Sequence, residues 1–246
     1  MTPEPLPPHR LLTEYYPDEP SRRQQVLAWF DKSACDYDWI TQAVSFGSGN
    51  WYRRQALLRA GLAPGMRALD VACGTGALTT QVQRILGLDG QVHGLDPSTG
   101  MLLQGRGHGV RSLLRGMAEA LPFADGSFDF LSMGYALRHV ADLRTTFREY
   151  RRVLAPGGRL LILEITPPRS RVSYTFLELY LGRIIPMVAG LGRGGRTSRD
   201  LMRYYWDTIA NCVEPAVILA ALQEAGFSQV ERRAEMGLFS EYTARR

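Results

Sequence analysis

Between residues 66 and 165 the chain alternates two hydrophobic rhythms. Short apolar runs at 67–72, 91–95, 128–133 and 159–165 read as buried strands, with a weaker run at 112–114. Residues 76–86 and 142–154 instead repeat their apolar positions at helical spacing, and Pro97 opens a shorter helix. Strand and helix taken in turn imply an α/β fold with a doubly wound, mostly parallel sheet. Residues 215–225 form a further helix, with Pro215 in its first turn and Gly226 just past its end. Residues 229–234 and 238–243 finish the chain as a hairpin on the sheet edge, which makes a seven-stranded sheet.

The flanks follow other patterns. Residues 1–20 are proline-rich and read as a flexible arm. A helical pattern starts at Ser21 and carries Val26, Leu27, Trp29 and Phe30; a second helical piece covers 50–60. The polar-aromatic stretch 30–47 separates the two. Residues 166–210 break the alternation, are rich in aromatics and arginine, and include an apolar piece at 183–191. An insert of that length reads as a functional lid. The expected organisation is an arm at 1–20 and a single domain at 21–246. That domain divides into an N-terminal helical cover (21–64), a core (65–165), a lid (166–210) and C-terminal helix and edge strands (211–246).

The first strand carries the chemistry. Ala68-Leu69-Asp70-Val71-Ala72-Cys73-Gly74-Thr75-Gly76 places one acid in an apolar run and then a Gly-x-Gly turn before a helix. Missing β-carbons let the backbone turn sharply and let a ligand lie against it. A carboxylate on a buried strand is costly without a partner, so Asp70 suggests a cationic ligand group. Asp96 ends the second strand, where a carboxylate can accept both ribose hydroxyls of an adenosine or cap the Pro97 helix. The third glycine of the dinucleotide fingerprint would fall at Thr79, so that motif is not met.

Composition adds a few bounds. The 246 residues suffice for one large domain. A net charge of +5 is spread along the chain, which does not argue for a nucleic-acid partner. Cys35, Cys73 and Cys212 lie far apart without a C-x-x-C pair, which suggests free thiols in a reducing compartment and a cytoplasmic location. No apolar leader or membrane-length run is seen. His9, His93 and His108 lack ligand spacing, so no metal is expected. The 183–191 piece, flanked by Arg183, Arg193, Arg196 and Arg199, fits either a buried lid helix or peripheral membrane contact.

The ordered set from D-x-A-C-G-T-G at 70–76, through A-E-A-L-P-F at 118–123 and F-D at 128–129, to R-V-L-A-P-G-G-R at 152–159 resembles class I S-adenosylmethionine-dependent methyltransferases. Phe30-Asp31, Ala34, Tyr37-Asp38, Ser45-Phe46-Gly47, Leu137-Arg138-His139-Val140, Leu163-Glu164 with Pro167, and Ala225-Gly226-Phe227 resemble the ubiquinone/menaquinone biosynthesis C-methyltransferase family. The resemblance implies a Rossmann-like fold, S-adenosylmethionine as cofactor and a small lipophilic, quinol-like acceptor. It assigns Asp70, Gly74 and Gly76 to the methionine part, Asp96 to the ribose, and Met101 and Ala118 to the adenine. It adds Tyr37, Ala72, Thr75, Pro97, Met117, Glu119 and Gly134 to the cofactor-binding set.

The same resemblance makes Arg138 and His139 the catalytic pair, with His139 standing where the family has Asn. His139 could serve as base or only bond the start of helix 142–154. Glu164 would lie at the pocket rim, and Tyr174, Phe176, Tyr180, Tyr204, Tyr205 and Trp206 would either line an acceptor pocket or pack as core. Departures lie at Met117, where the family has Asp or Asn, at Thr41, at 190–195 and at 241–244. Two other readings fit the same residues: a natural-product methyltransferase and a cofactor-binding scaffold without turnover. The sequence leaves the oligomeric state open.

Overall fold

The computed structural model describes residues 4–246. Along the chain run α1 (Glu19–Val44), α2 (Gly49–Arg59), β1 (Arg67–Val71), α3 (Ala77–Leu86), β2 (Gln91–Asp96), α4 (Thr99–Gly107), β3 (Leu113–Arg115) and β4 (Phe128–Gly134). A 3-10 turn, Leu137–His139, precedes α5 (Leu143–Val153) and β5 (Leu154–Ile165). The 166–210 insert follows as α6 (Arg171–Leu179), a π-helical turn (Tyr180–Ile184), α7 (Ile185–Ala189) and α8 (Arg196–Ala210). Then come α9 (Pro215–Glu224), β6 (Ser228–Glu235) and β7 (Phe239–Arg245).

Among the described residues the seven strands form one sheet in the order β3-β2-β1-β4-β5-β7-β6. The pairs among β1 to β5 are parallel, and β7 runs antiparallel to both β5 and β6. The expected doubly wound, mostly parallel sheet is therefore present. The terminal hairpin inserts β7 beside β5 and leaves β6 at the edge.

Alternation along the strands builds two cores. Leu69, Val71, Leu131, Met133 and Leu160 meet Phe147 and Tyr150 of α5 and Ile218 and Leu222 of α9. Ala68, Phe130 and Leu161, one residue out of step, meet Leu57 of α2 and Leu78, Val82 and Ile85 of α3. Asp70 and Ser132 share this second parity and are paired across β1 and β4. The winding reverses between β1 and β4, and in open α/β sheets ligands lodge at the strand C-termini around such a point.

Several elements differ from the sequence expectation. Residues 30–47 do not interrupt the cover, because α1 runs unbroken to Val44. The Asp18 carboxylate accepts from the Ser21 N–H and caps it. No glycine, and no proline after Pro20, interrupts it until Phe46 and Gly47 turn left-handed at φ 48° and 77°. Its polar residues serve tertiary contacts instead of marking a loop. Residues 4–18 of the supposed arm lie against the body: Val213 N–H donates to Pro8 O at 2.7 Å, and Leu12 and Tyr16 are buried. Residues 1–3 lie outside the described residues. β5 starts at Leu154 rather than 159, since Leu154 already pairs with Phe128 across the Pro156-Gly157-Gly158 bend.

This insert has its own aromatic core, in which Leu177, Leu181, Ile185, Leu201, Tyr204 and Trp206 pack on Leu12, Tyr16, Val26 and Ile40. The apolar piece 183–191 is split by side: Ile185, Pro186 and Ala189 are buried, whereas Met187 and Leu191 are exposed. No helix among the described residues is long and apolar enough to cross a membrane.

Candidate active site

A cavity of about 1070 Å³, its open mouth included, sits at the C-terminal ends of β1, β2 and β4. Of the expected cofactor residues, Tyr37, Ala72, Gly74, Asp96, Pro97, Met101, Met117, Ala118, Glu119 and Gly134 line it. Asp70, Thr75 and Gly76 do not. Asp70 is fully buried, accepting from Thr79 Oγ1 at 2.6 Å and Ser132 Oγ at 2.7 Å, so protein hydroxyls already satisfy it. Burial pushes its carboxyl up to about 6 despite those bonds. Thr75 Oγ1 donates to Asp38 Oδ1 at 2.5 Å, and Gly76 starts α3 at φ 83° beside Val110. These three shape the loop from behind.

The cavity roof is α1, held lengthwise by three clasps. Arg22 Nη2 donates to Val140 O at 3.0 Å. Asp31 Oδ1 accepts from Ser98 Oγ at 2.6 Å and Gly100 N–H at 2.9 Å. Asp38 meets Thr75 as above and lies 3.3 Å from His108 Nε2. Sixteen helical residues separate the outer clasps, about 24 Å of helix. The inner face between them presents Arg23, Val26, Leu27, Phe30 and Tyr37 to the cavity. Only Tyr37 of these was expected. Their 3–4-residue spacing is legible once α1 is read as one helix.

The expected cofactor fits this lining. Asp96 accepts the Gly74 N–H on Oδ2 and the Ser98 N–H on Oδ1, both at 2.8 Å. Each oxygen keeps a second lone pair for a ribose hydroxyl. Burial pushes this carboxyl up to about 6. Gly74 adopts φ 57°, and a β-carbon there would enter open space that a ligand can use. Leu95, Met101, Met117 and Ala118 supply an apolar wall suited to a flat base. Glu119 is anchored by accepting the Ala141 N–H at 2.6 Å.

The expected catalytic pair separates. His139 lines the cavity; Arg138 does not. The Arg138 guanidinium is fully buried, ion-paired with Glu164, bonded to Thr208 Oγ1 at 3.1 Å and placed 3.9 Å from the Tyr205 ring centre. This corrects the expectation that Arg138 meets the acceptor and that Glu164 forms the pocket rim: each neutralises the other inside the fold. Arg138 ties the 3-10 turn that carries His139 to β5 through Glu164 and to α8 through Thr208.

The His139 ring is edge-on to Phe30 at 5.4 Å and stacked on Tyr204 at 5.7 Å. Neither ring nitrogen has a partner among the described residues. Helix α5 is capped by Asp142, which accepts from Arg144 and Thr145, so His139 does not cap it. Burial first, then the nearby Arg138 charge, holds the imidazole well below its usual range, and the ring is neutral. Tyr174, Phe176, Tyr180, Tyr204, Tyr205 and Trp206 do not line the cavity. Tyr204 and Tyr205 pack against the His139 ring from behind the cavity wall. Phe46 is exposed and stacks on Tyr180 at 5.9 Å.

Tyr135 is a lining residue that sequence reasoning missed. It follows β4 at φ 61°, an uncommon conformation for a bulky residue, and donates its N–H to Leu163 O at 2.7 Å. The glycine-rich loop at 190–195 also has a physical account. Asp36 of α1 accepts the N–H groups of Arg193 and Gly194 and the Ser198 hydroxyl, and β-carbons at Gly192 or Gly194 would collide with its carboxylate. The loop clasps the 166–210 insert to α1.

The family model described as the ubiE/COQ5 methyltransferase family matches residues 19–243. The Shewanella sediminis ubiquinone/menaquinone biosynthesis C-methyltransferase UbiE is 34% identical over 217 residues, covering 85% of each chain. The Symbiobacterium thermophilum demethylmenaquinone methyltransferase is 35% identical over 227 residues, covering 88% of this chain and 90% of that one. Among solved structures, the Haemonchus contortus phosphoethanolamine N-methyltransferase 2 bound to S-adenosyl-L-methionine aligns with TM-score 0.62 at 20% identity, over 88% of this chain and 57% of that one. An Aquifex aeolicus SAM-dependent methyltransferase aligns with TM-score 0.57 at 18% identity, over 78% and 88%. The chain belongs to the ubiE/COQ5 methyltransferase family and is an S-adenosylmethionine-dependent methyltransferase.

Proposed function

We propose that this enzyme methylates a ring carbon of a lipophilic quinol- or phenol-like acceptor, with Asp96, Met101, Met117 and Ala118 holding the adenosine. The observation that carries this reading is the half-buried, neutral His139 ring at the cofactor cavity, whose nitrogens have no protein partner among the described residues. The names of the curated relatives point to the same class of acceptor. S-adenosylmethionine, when bound, supplies a methyl group on a sulfonium centre, open to in-line attack by an electron-rich carbon.

The protein's task is to hold the acceptor in line and raise its electron density. One nitrogen of neutral His139 accepts a hydrogen bond from a ring hydroxyl and shifts density toward the ring carbon beside it; as that carbon gains the methyl group, the broken bond's electron pair stays on sulfur and the carbon's own proton is released to solvent. Its depressed proton affinity makes it an orienting acceptor rather than a proton store. Phe30, Val26 and Leu27 of the roof exclude water above the reacting groups. His139→Leu is expected to lower turnover on a demethylated quinol by about 100-fold. Calorimetry should show S-adenosylmethionine affinity unchanged. Undiminished turnover in that variant removes His139 from the reaction.

A further inference from the structure

The methionine end of the cofactor carries a carboxylate, and none of the cavity's acids can receive it. Asp70, expected at this end from the sequence, is sealed behind the loop by Thr79 and Ser132. The cations near the cavity are mostly engaged: Arg22 is paired with Glu19, and Arg138 with Glu164. Arg23 lines the cavity and forms no ion pair among the described residues. It belongs, however, to the end of α1 held at Val140, about 20 Å of helix from the glycine loop where Asp38 is clasped.

Arg53 of α2 is different. It is half-buried and forms no ion pair among the described residues; its side chain makes one long bond, Nη1 to Asn50 Oδ1 at 3.4 Å. Its guanidinium carbon lies 5.6 Å from the ring centre of Tyr135, which lines the cavity. Its charge also reaches Tyr37, another lining residue, and Asp70 behind the glycine loop. The absent side chain of Gly49 leaves room for Nη1, which lies 2.9 Å from where a β-carbon would stand. A cation without a counter-ion among the described residues is thus held between the start of α2 and the Tyr135 ring of the cavity wall.

We infer that Arg53 receives the α-carboxylate of S-adenosylmethionine and thereby selects the amino-acid end of the cofactor. The guanidinium fork matches a carboxylate, and a charge-assisted pair of this kind is stronger than a neutral hydrogen bond. The inference rests on the cofactor and not on the identity of the acceptor.

The test is calorimetric titration of the wild type, Arg53→Met and Arg53→Lys with three ligands: S-adenosylmethionine, its decarboxylated form and 5′-methylthioadenosine. Arg53→Met should weaken S-adenosylmethionine by about 10- to 100-fold. Binding of the two ligands without the carboxylate should stay within about twofold. Arg53→Lys should recover part of the loss. Equal weakening of all three ligands, or of none, overturns the inference. Failure of the wild type to bind S-adenosylmethionine while it binds methylthioadenosine overturns the inference together with the cofactor assignment.

Discussion

Asp96→Asn is expected to weaken S-adenosylmethionine binding by about 100-fold while the protein stays folded. The carboxylate accepts one backbone N–H on each oxygen, from Gly74 and Ser98. An amide can accept on one side only, so its NH2 must face one of those donors, and one ribose hydroxyl loses its acceptor. The pH dependence gives a second readout. Burial holds the Asp96 carboxyl at about 6. Above that pH it is ionised and accepts both hydroxyls; below it a proton occupies one acceptor site. Affinity should therefore be flat above neutrality and fall as pH drops through about 6, and the Asn variant should show a flatter profile. Asp70 titrates in the same range but does not line the cavity, and it is unchanged in the variant, so the difference between the two profiles belongs to Asp96. Calorimetry between pH 5 and 8 measures both effects. A profile unchanged by the substitution would remove Asp96 from the ribose site.

Arg138→Met should destabilise the fold by about 3–5 kcal/mol, because it strands the Glu164 carboxyl in a fully enclosed site. Burial already raises Glu164 above its usual range, and the Arg138 charge opposes that rise. Without the guanidinium nothing offsets that burial, and the carboxyl is pushed further up. Adding Glu164→Leu to Arg138→Met should restore much of the stability, since a buried pair can often be exchanged for apolar packing at little net cost. Urea denaturation of the two variants reads this directly. Turnover should fall in both, because the 3-10 turn presenting His139 loses its anchor. A fully stable Arg138→Met protein that binds cofactor but has no turnover would return Arg138 to a direct role on the acceptor.

Much of the fold was legible because strands and helices alternate with distinct apolar periods, and the Gly74-Thr75-Gly76 turn marks the point where ligand and sheet meet. What the sequence hid was tertiary. Asp31, Asp36 and Asp38 make α1 look interrupted, yet each spends its carboxylate on another element: α4, the lid loop and Thr75. Asp70 reads as ligand-facing because strand pattern alone cannot reveal that Ser132 and Thr79 occupy the same face. Arg138 and His139 are adjacent in a motif, but a 3-10 turn sends one inward and the other to the cavity wall. No local pattern foretells that, nor the left-handed Tyr135 that follows β4.

The most direct measurement is mass spectrometry and carbon NMR of products after incubation with methyl-labelled S-adenosylmethionine and demethylated quinols. The account predicts one labelled methyl bonded to a ring carbon, with S-adenosylhomocysteine formed in equal amount and the yield collapsing in the His139→Leu variant. Label on oxygen or nitrogen, or on none of the quinols while cofactor binding is intact, would contradict it.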